Sequence, residues 1–221
     1  EFNGNISNWN VSNVETMAWM FYNAISFNQD ISAWNVKKVN TFSNIFWFSV
    51  TGRYSFTIEN YSKFLVSLKT QVVLTNVPLS AHKGHNQDAI EARSYLINTM
   101  NWSINDGGLF YYPDSLELLS PARNEIDVTT TPKLTWKCSG GNGSSECYTF
   151  QLQLSSDSLF NDTVIDSSGY FQLHVDENYY WLDVEIPLDF ITNYYWRLKG
   201  SNDAGTSDWS KASSFTSRKQ L

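Results

Sequence analysis

The chain repeats one motif at a spacing of 25 residues. Residues 2–26, FNGNISNWNVSNVETMAWMFYNAIS, are followed by residues 27–50, FNQDISAWNVKKVNTFSNIFWFSV. Ten positions agree between the copies: Phe2 with Phe27, Asn3 with Asn28, Ile6 with Ile31, Ser7 with Ser32, Trp9 with Trp34, Asn10 with Asn35, Val11 with Val36, Val14 with Val39, Thr16 with Thr41 and Phe21 with Phe46. Self-similarity at a fixed period predicts a solenoid, in which each unit buries its apolar face only by stacking on a neighbour.

The recurring apolar positions are expected to point inward and form ladders between coils. This predicted repeat core comprises Phe2, Ile6, Trp9, Val11, Val14 and Phe21 in the first copy, and Phe27, Ile31, Trp34, Val36, Val39 and Phe46 in the second. The paired Asn and Ser residues are expected to turn the backbone and satisfy its polar groups. The interpretation fails if Trp9 and Trp34 are solvent-exposed and not stacked one coil apart.

Four aromatic residues occupy positions that differ between the copies: Trp19, Tyr22, Trp47 and Phe48. Outward-facing positions are free to vary, so these four form a candidate sugar- or protein-binding face. The favoured alternative is that they pack against a cap or a neighbouring repeat, because terminal coils of repeat proteins are atypical.

The first copy resembles the BspA-like leucine-rich-repeat family of microbial surface proteins, whose repeat reads approximately F-N-x-x-I-S-x-W-x-V-S-x-V-x-x-M-x-x-M-F. Met17, Met20 and Phe21 match it, whereas the second copy carries Phe42 and Ile45 at the Met positions. Residues 61–108 are similar to the segment that ends such arrays, and their apolar spacing predicts a cap with two helices, the second beginning at Asp88. The resemblance implies adhesion or matrix contact.

Short strand patterns separated by turns fill the second half and predict an antiparallel sandwich. The stretch LDFITNYYWRLKGSNDAGTSDWS, residues 188–210, resembles the fibronectin type III family. The resemblance implies a tyrosine corner and a sandwich core, with Leu188, Tyr194, Trp136 and Trp196 as its residues. The predicted domains are therefore 1–110 for the repeats and cap, 111–119 for a linker, and 120–217 for the sandwich.

Composition narrows the class of protein. Hydrophobic residues make up 42% and aromatic residues 16% of the chain, which predicts a folded protein with a substantial core. The net charge of −7 argues against nucleic-acid binding, which depends on clustered Lys and Arg. No apolar run is long enough for a transmembrane segment. Because the sequence starts without Met and inside a repeat, we expect a fragment of a longer protein.

Two cysteines, Cys138 and Cys147, flank the flexible stretch SGGNGSSE. An extracellular disulfide is favoured over two free thiols. Six Asn-x-Ser/Thr sequons are candidate glycosylation sites, at Asn5, Asn10, Asn60, Asn101, Asn142 and Asn161. These sequons allow glycosylation only if the source is a secreting eukaryote or a microbe with a glycosylation system.

Catalytic and metal-binding patterns are weak. His82 and His85 are expected in an ordinary exposed loop without a ligand partner, and His174 at the surface of a strand. Acidic pairs such as Asp183 with Glu185 are expected to be solvated. We assign no catalytic residue, metal ligand or cofactor.

The sequence therefore predicts a mainly β chain with a few helices: a short leucine-rich-repeat-like solenoid with a helical cap, then an immunoglobulin-like (fibronectin type III) sandwich. The predicted function is non-catalytic adhesion or protein–protein contact outside the cell or at its surface, with a protein, a glycan or copies of itself as partner. Two alternatives stay open: a structural subunit of an extracellular filament or surface layer, and an ancillary carbohydrate-binding region of a secreted enzyme.

Overall fold

The computed structural model describes residues 2–49, 55–71, 73–140, 147, 149–169, 172–174 and 179–220. The chain divides into two compact units, Glu1–Phe110 and Tyr111–Leu221. The sequence places the end of the repeat domain at the same residue, 110. No helix among the described residues is long and apolar enough to cross a membrane.

The first unit stacks its segments in parallel. Its elements are β1 (Phe42–Phe46), α1 (Ile58–Thr70), β2 (Pro78–Ala81), a 3₁₀ turn (Gln87–Ala89), α2 (Ile90–Asn98) and β3 (Ser103–Asn105). Strands β1, β2 and β3 form a sheet in that order, and both of its pairings are parallel. We call residues 2–26 repeat 1 and residues 27–49 repeat 2. Repeat 1 extends the stack beyond β1: four of its backbone N–H groups donate to carbonyls of repeat 2, and Asn40 N donates back to Glu15 O.

Most of the predicted repeat core is buried. Ile6, Val11, Phe21, Phe27, Ile31, Trp34, Val36, Val39 and Phe46 all lie in one apolar cluster, and Val14 packs partly buried against it. Aromatic rings stack through this core, with the Phe21 ring 3.9 Å from Phe27 and the Phe46 ring 4.1 Å from Phe56. Phe21 and Phe46, which hold the same repeat position, stack with their rings 5.7 Å apart, so this recurring apolar position does contact its counterpart in the other repeat.

Two predicted core residues, Phe2 and Trp9, are exposed instead, with 49% and 54% of their surfaces accessible. Trp34 is only 2% exposed, and its indole Nε1–H donates to Ile6 O in the preceding repeat at 2.9 Å. By the same geometry Trp9 lies on the side of repeat 1 that faces away from repeat 2. The stacking hypothesis therefore holds for Trp34, and the assignment of Phe2 and Trp9 to the core was wrong.

The two helices follow from amphipathic patterns. Helix α1 begins after Thr57, whose Oγ1 accepts from Asn60 N at 3.1 Å, and it buries one stripe that includes Tyr61, Phe64 and Leu68. Helix α2 is preceded by the 3₁₀ turn. Asp88 lies inside that turn and Ala89 holds the N-cap position, so Asp88 does not start α2 as a capping residue.

The second unit is a β-sandwich. Its strands are β4 (Pro113–Ser120), β5 (Glu125–Val128), β6 (Lys133–Gly140), β7 (Thr149–Ser155), β8 (Thr163–Gly169), β9 (Gln172–His174), β10 (Tyr179–Asp183), β11 (Asn193–Asn202), β12 (Gly205–Thr206) and β13 (Ser213–Ser217). One sheet has the order β4-β6-β10-β9, and the other has the order β5-β13-β11-β7-β8, with β12 added to β11. Apolar residues from both sheets share one core.

The sandwich core contains all four predicted residues, Trp136, Leu188, Tyr194 and Trp196, each buried. Two details differ from the sequence interpretation. Residues 113–120 form β4, paired with β6, so they are part of the sandwich and not a linker. Strand β5 pairs in parallel with β13, so the sandwich is not purely antiparallel.

Candidate interaction surface

An aromatic pair projects from repeat 1. Trp19 is 55% exposed, and Tyr22 lies beside it with the ring centroids 4.9 Å apart in an edge-to-face arrangement. Their backbone is fixed because Trp19 N donates to Ser43 O at 3.0 Å and Tyr22 N donates to Trp19 O at 3.1 Å. The pair therefore presents two large, partly rigid rings to solvent, which is the composition typical of binding hot spots.

The other two residues of the candidate binding face are not freely exposed. Phe48 is buried, which contradicts its assignment to this face. Trp47 is half-buried, and its ring lies 3.9 Å from that of His82. His82 also accepts a hydrogen bond from Phe48 N at Nδ1, at 3.0 Å. The candidate face therefore reduces to Trp19 and Tyr22, while Trp47 and Phe48 pack on the cap, as the alternative interpretation expected.

Trp19 has a backbone conformation that a bulky residue rarely adopts. Its φ is 63°, and the matching residue of repeat 2, Asn44, has φ 55°. Asn enters this left-handed region readily, whereas most other L-residues lose about 1–2 kcal/mol there. Repeat 1 thus has a strained and exposed Trp at the position where repeat 2 has Asn44, which adopts this backbone conformation readily.

A buried polar cluster lies in the cap, around the Asp106 carboxylate. Arg93 donates to both carboxylate oxygens, from Nε at 2.9 Å and from Nη2 at 3.1 Å. Tyr61 Oη donates to Oδ2 and Gly108 N donates to Oδ1, each at 3.1 Å. His85 Nδ1 lies 3.8 Å from Oδ2. The Asp106 side chain is 1% exposed, so its charge depends on these partners.

The burial and charge of this cluster shift the pKa values of His85 and Tyr61. Burial lowers the pKa of His85, and the Asp106 charge opposes that shift. Burial, followed by the same charge, raises the pKa of Tyr61 well above its usual 10.0. His85 is therefore not in an exposed loop, as the sequence analysis expected. Only the turn signal NDGG marks Asp106 in the sequence, and nothing in the spacing of its partners announces the cluster.

Among the described residues, no group of three or more His, Cys, Asp or Glu side chains could hold a metal ion. His174 lies in β9, and its side chain is outside the described residues. The predicted glycosylation site Asn142 also lies outside them.

A disulfide bond joins strand β6 to the residue Cys147, which precedes β7. Cys138 in β6 is bonded to Cys147, with the Cα atoms 6.0 Å apart, and Tyr180 Oη donates to Cys147 O at 3.0 Å. Gly200 of β11 faces this bond, and a Cβ added there would lie 2.5 Å from Cys147 Sγ. Tyr194 Oη accepts from Asp189 N at 3.0 Å, which is the type of backbone contact that a tyrosine corner makes.

The outer face of the second sheet carries a cation–aromatic cluster. The Arg197 guanidinium lies 4.0 Å from the Phe160 ring and 4.4 Å from the Trp209 ring, and Lys199 Nζ lies 4.8 Å from Trp209. Gln153 Oε1 accepts from Arg197 at Nε and Nη2. No sequence pattern marks these contacts in advance. Arg197 thus contacts two aromatic rings and one amide oxygen, as a structural element of the sheet.

The described sequons differ in the state of the Asn Nδ2 atom, to which a glycan would be attached. In Asn60, Asn101 and Asn161 this atom donates to Asn28, Asn76 and Asp157, respectively. Asn5 and Asn10 are exposed and use only Oδ1, which accepts from the Ser residue two positions later in each case. Asn5 and Asn10 are therefore the sequons best placed for modification.

Comparison with known proteins gives a partial family match. A family model described as "Mycoplasma protein of unknown function, DUF285" matches residues 1–69, which is less than half of the chain. It covers both repeats and most of α1, and its description names neither leucine-rich repeats nor the BspA family. No curated protein matches the chain.

Solved structures of several kinds of protein are similar to part of this chain. The chain is 17% identical to Streptomyces avermitilis α-L-rhamnosidase complexed with L-rhamnose, with a TM-score of 0.36, over 47% of this chain and 11% of that one. It is 17% identical to a human fibronectin type III domain, with a TM-score of 0.30, over 49% of this chain and 89% of that one. Domains A168–A170 of titin give 11% identity and a TM-score of 0.30, over 53% and 35%. The chain thus spans about a tenth of the rhamnosidase.

Proposed function

We propose that this chain is a non-catalytic extracellular or cell-surface protein that mediates adhesion or protein–protein contact through the exposed edge of its repeats. In this proposal the first unit is a short solenoid of the BspA-like leucine-rich-repeat type with its cap, and the second unit is a fibronectin type III-like sandwich. The repeat pattern and the tyrosine corner at Tyr194 support these assignments.

The observation that carries the proposal is the Trp19–Tyr22 pair. Trp19 sits in a left-handed backbone conformation, is 55% exposed, and replaces the Asn that repeat 2 has at this position. Backbone strain of this kind is commonly found at functional sites, where a side chain is held for a partner at a cost in stability. Exposed Trp and Tyr supply large contact areas with little loss of side-chain entropy on binding.

The disulfide supports the extracellular placement, because such bonds persist in oxidising environments and are rare in the cytosol. The exposed sequons at Asn5 and Asn10 are compatible with the same placement.

A binding screen tests the proposal. The full chain is tested against an array of purified extracellular-matrix proteins and against a glycan array, alongside a Trp19→Ala/Tyr22→Ala variant. Phe190→Ala is the matched control, since Phe190 is an aromatic residue of the sandwich that is 42% exposed. Binding that is lost in the double variant and kept in the control supports the proposal. Binding that survives the double variant refutes the assigned surface, and exclusive glycan binding favours the carbohydrate-binding alternative.

A structural subunit is the second candidate. It is favoured by the apolar end face of repeat 1, where Phe2, Trp9 and Met20 are all exposed. Mass photometry across a range of concentrations tests this candidate, because ordered oligomers of the full chain are expected only if the chain assembles with itself.

A further inference from the structure

The outer face of the β4-β6-β10-β9 sheet carries two aromatic rings that point away from the sandwich core. In β6 and β10 the core positions include Trp136 and Tyr180, both buried. Side chains of a strand alternate between its two faces, so the residues next to these core positions lie on the outer face. These outward residues, each half-buried, are Thr135, Lys137, Tyr179 and Trp181. We call them the sheet platform.

The strand register brings the sheet platform together. Trp181 pairs with Thr135, so Tyr179, two residues earlier in β10, lies beside Lys137. The ring centroids of Tyr179 and Trp181 are 6.0 Å apart. A shallow surface cavity of about 570 Å³ lies here, and its lining residues are Leu119, Thr135, Lys137 and Tyr179. Cavities of about 300–1,000 Å³ with apolar walls and a few polar groups are typical of small-ligand sites.

Two lysines on this face differ in their partners. Lys133 Nζ lies 3.7 Å from Asp183 Oδ1 and 5.1 Å from the centroid of the Trp181 ring. Asp183 follows Trp181 in β10, whereas Tyr179 precedes it, so Lys133 contacts the indole from the end of the strand away from the cavity. Lys137 forms no ion pair with any residue that the structure describes. The cavity therefore contains an ammonium group whose charge is not neutralised by a neighbour.

The sheet platform combines groups that match the two sides of a sugar. A pyranose ring has C–H groups on its faces, which stack on aromatic rings, and hydroxyl groups around its rim. The Thr135 hydroxyl can donate and accept hydrogen bonds, and the Lys137 ammonium donates them. Charge-assisted hydrogen bonds between an ammonium and a carboxylate are stronger than neutral ones. A pyranose that bears a carboxylate, which is a hexuronic acid, therefore suits all four residues.

The acidic residues of the same face argue against a densely charged ligand. Glu117 of β4 is exposed and is the cross-strand neighbour of Lys137, and Asp183 is the cross-strand neighbour of Lys133. Each lysine thus has a carboxylate on the adjacent strand, so the face has no run of unopposed cations. Like-charge repulsion from these carboxylates disfavours a heavily sulfated chain or a nucleic acid.

We propose that the sheet platform binds a hexuronic acid residue of an acidic glycan. The sugar face stacks on Tyr179 and Trp181, the carboxylate accepts from Lys137 Nζ, and a ring hydroxyl bonds to Thr135 Oγ1. This site lies in the second unit and does not depend on Trp19 or on the function proposed for the repeats.

Isothermal titration calorimetry of the full chain with defined trisaccharides tests the proposal. The acidic probes are the trisaccharides of galacturonic acid and of mannuronic acid, and the neutral probes are those of galactose and of mannose. At least one acidic probe should bind with a dissociation constant of about 1 mM or lower, and its neutral counterpart should bind at least about tenfold more weakly. NMR locates the site, because the Trp181 Nε1–H signal, assigned with Trp181→Phe, should shift during the titration.

Matched variants separate the roles of charge and stacking. Lys137→Met keeps the length of the side chain and should weaken acidic binding by about tenfold. Lys211→Met is the control, since Lys211 is an exposed lysine that precedes β13, and it should bind as the unchanged chain does. Trp181→Ala should weaken binding by more than about tenfold, with the circular dichroism spectrum checking that the sandwich is folded. Trp19→Ala/Tyr22→Ala should bind the acidic probes normally, which separates this site from the surface proposed on the repeats.

Four results would overturn the proposal. The first is no binding of either acidic probe at about 10 mM, and the second is equal binding of acidic and neutral probes. The third is acidic binding that leaves the Trp181 signal in place and survives Lys137→Met. The fourth is tighter binding of a glutamate-rich peptide or of a heparin oligosaccharide, which would assign the face to an acidic protein or to a polyanion.

Discussion

Replacing the buried carboxylate of Asp106 by an amide is expected to be one of the most damaging single changes in the cap. Asp106→Asn keeps the shape but removes the charge that holds Arg93 in a bidentate pair and accepts the Tyr61 hydroxyl. Because the Asp106 side chain is 1% exposed and Arg93 is 25% exposed, the Arg charge is left without a partner at a poorly hydrated site. Breaking a buried pair in this way costs about 3–5 kcal/mol, a large share of the roughly 5–15 kcal/mol that stabilises a typical domain.

Hydrogen–deuterium exchange by mass spectrometry measures this loss in each unit separately. Protection of peptides from α1 should fall by a factor of about 100 or more, since each 1.4 kcal/mol is a factor of ten, while peptides from β11 should be unchanged. Tyr61→Phe removes one donor and should cost less, about 1–3 kcal/mol. Glu91→Gln, a surface carboxylate paired with Lys69, is the matched control and should have no measurable effect. Unchanged α1 protection in Asp106→Asn would refute the idea that this charge holds the cap together.

Three further predictions concern the same unit. Trp34→Ala should lower the free energy of unfolding by about 3–5 kcal/mol and Trp9→Ala by less than about 1 kcal/mol, in urea titrations followed by circular dichroism; equal losses would contradict the difference in burial. Trp19→Gly should be about 1 kcal/mol more stable than Trp19→Ala, the reverse of the usual order, because only Gly adopts φ 63° without strain. Burial lowers the pKa of His85 in the folded state below its usual 6.5, so the unfolded chain binds a proton first as the pH falls. The free energy of unfolding should therefore decrease as the pH drops below about 6.5 towards that lowered pKa. His85→Gln should flatten this part of a plot of urea midpoint against pH, and an unchanged slope would contradict the role assigned to His85.

The sequence by itself determined the features that depend on local pattern. A period of 25 residues fixed which apolar positions recur, and the structure buries ten of the twelve predicted ones at least partly. Helical spacing of Tyr61, Phe64 and Leu68 located α1, and strand-length patterns located most of the sandwich. These succeed because side-chain direction along a helix, a strand or a repeating coil is set by neighbours in the chain.

Only the tertiary structure decided which of two identical residues is buried. Trp9 and Trp34 occupy the same place in the same motif, yet burial depends on what lies on the next layer, and that information is not local. The Asp106 cluster shows the same limit, because Tyr61 and Arg93 come from separate helices and contact Asp106 only in the folded structure. The sequence pattern predicts which side chains lie on one face of a segment. Packing in three dimensions decides which distant charges pair and which of those faces is buried.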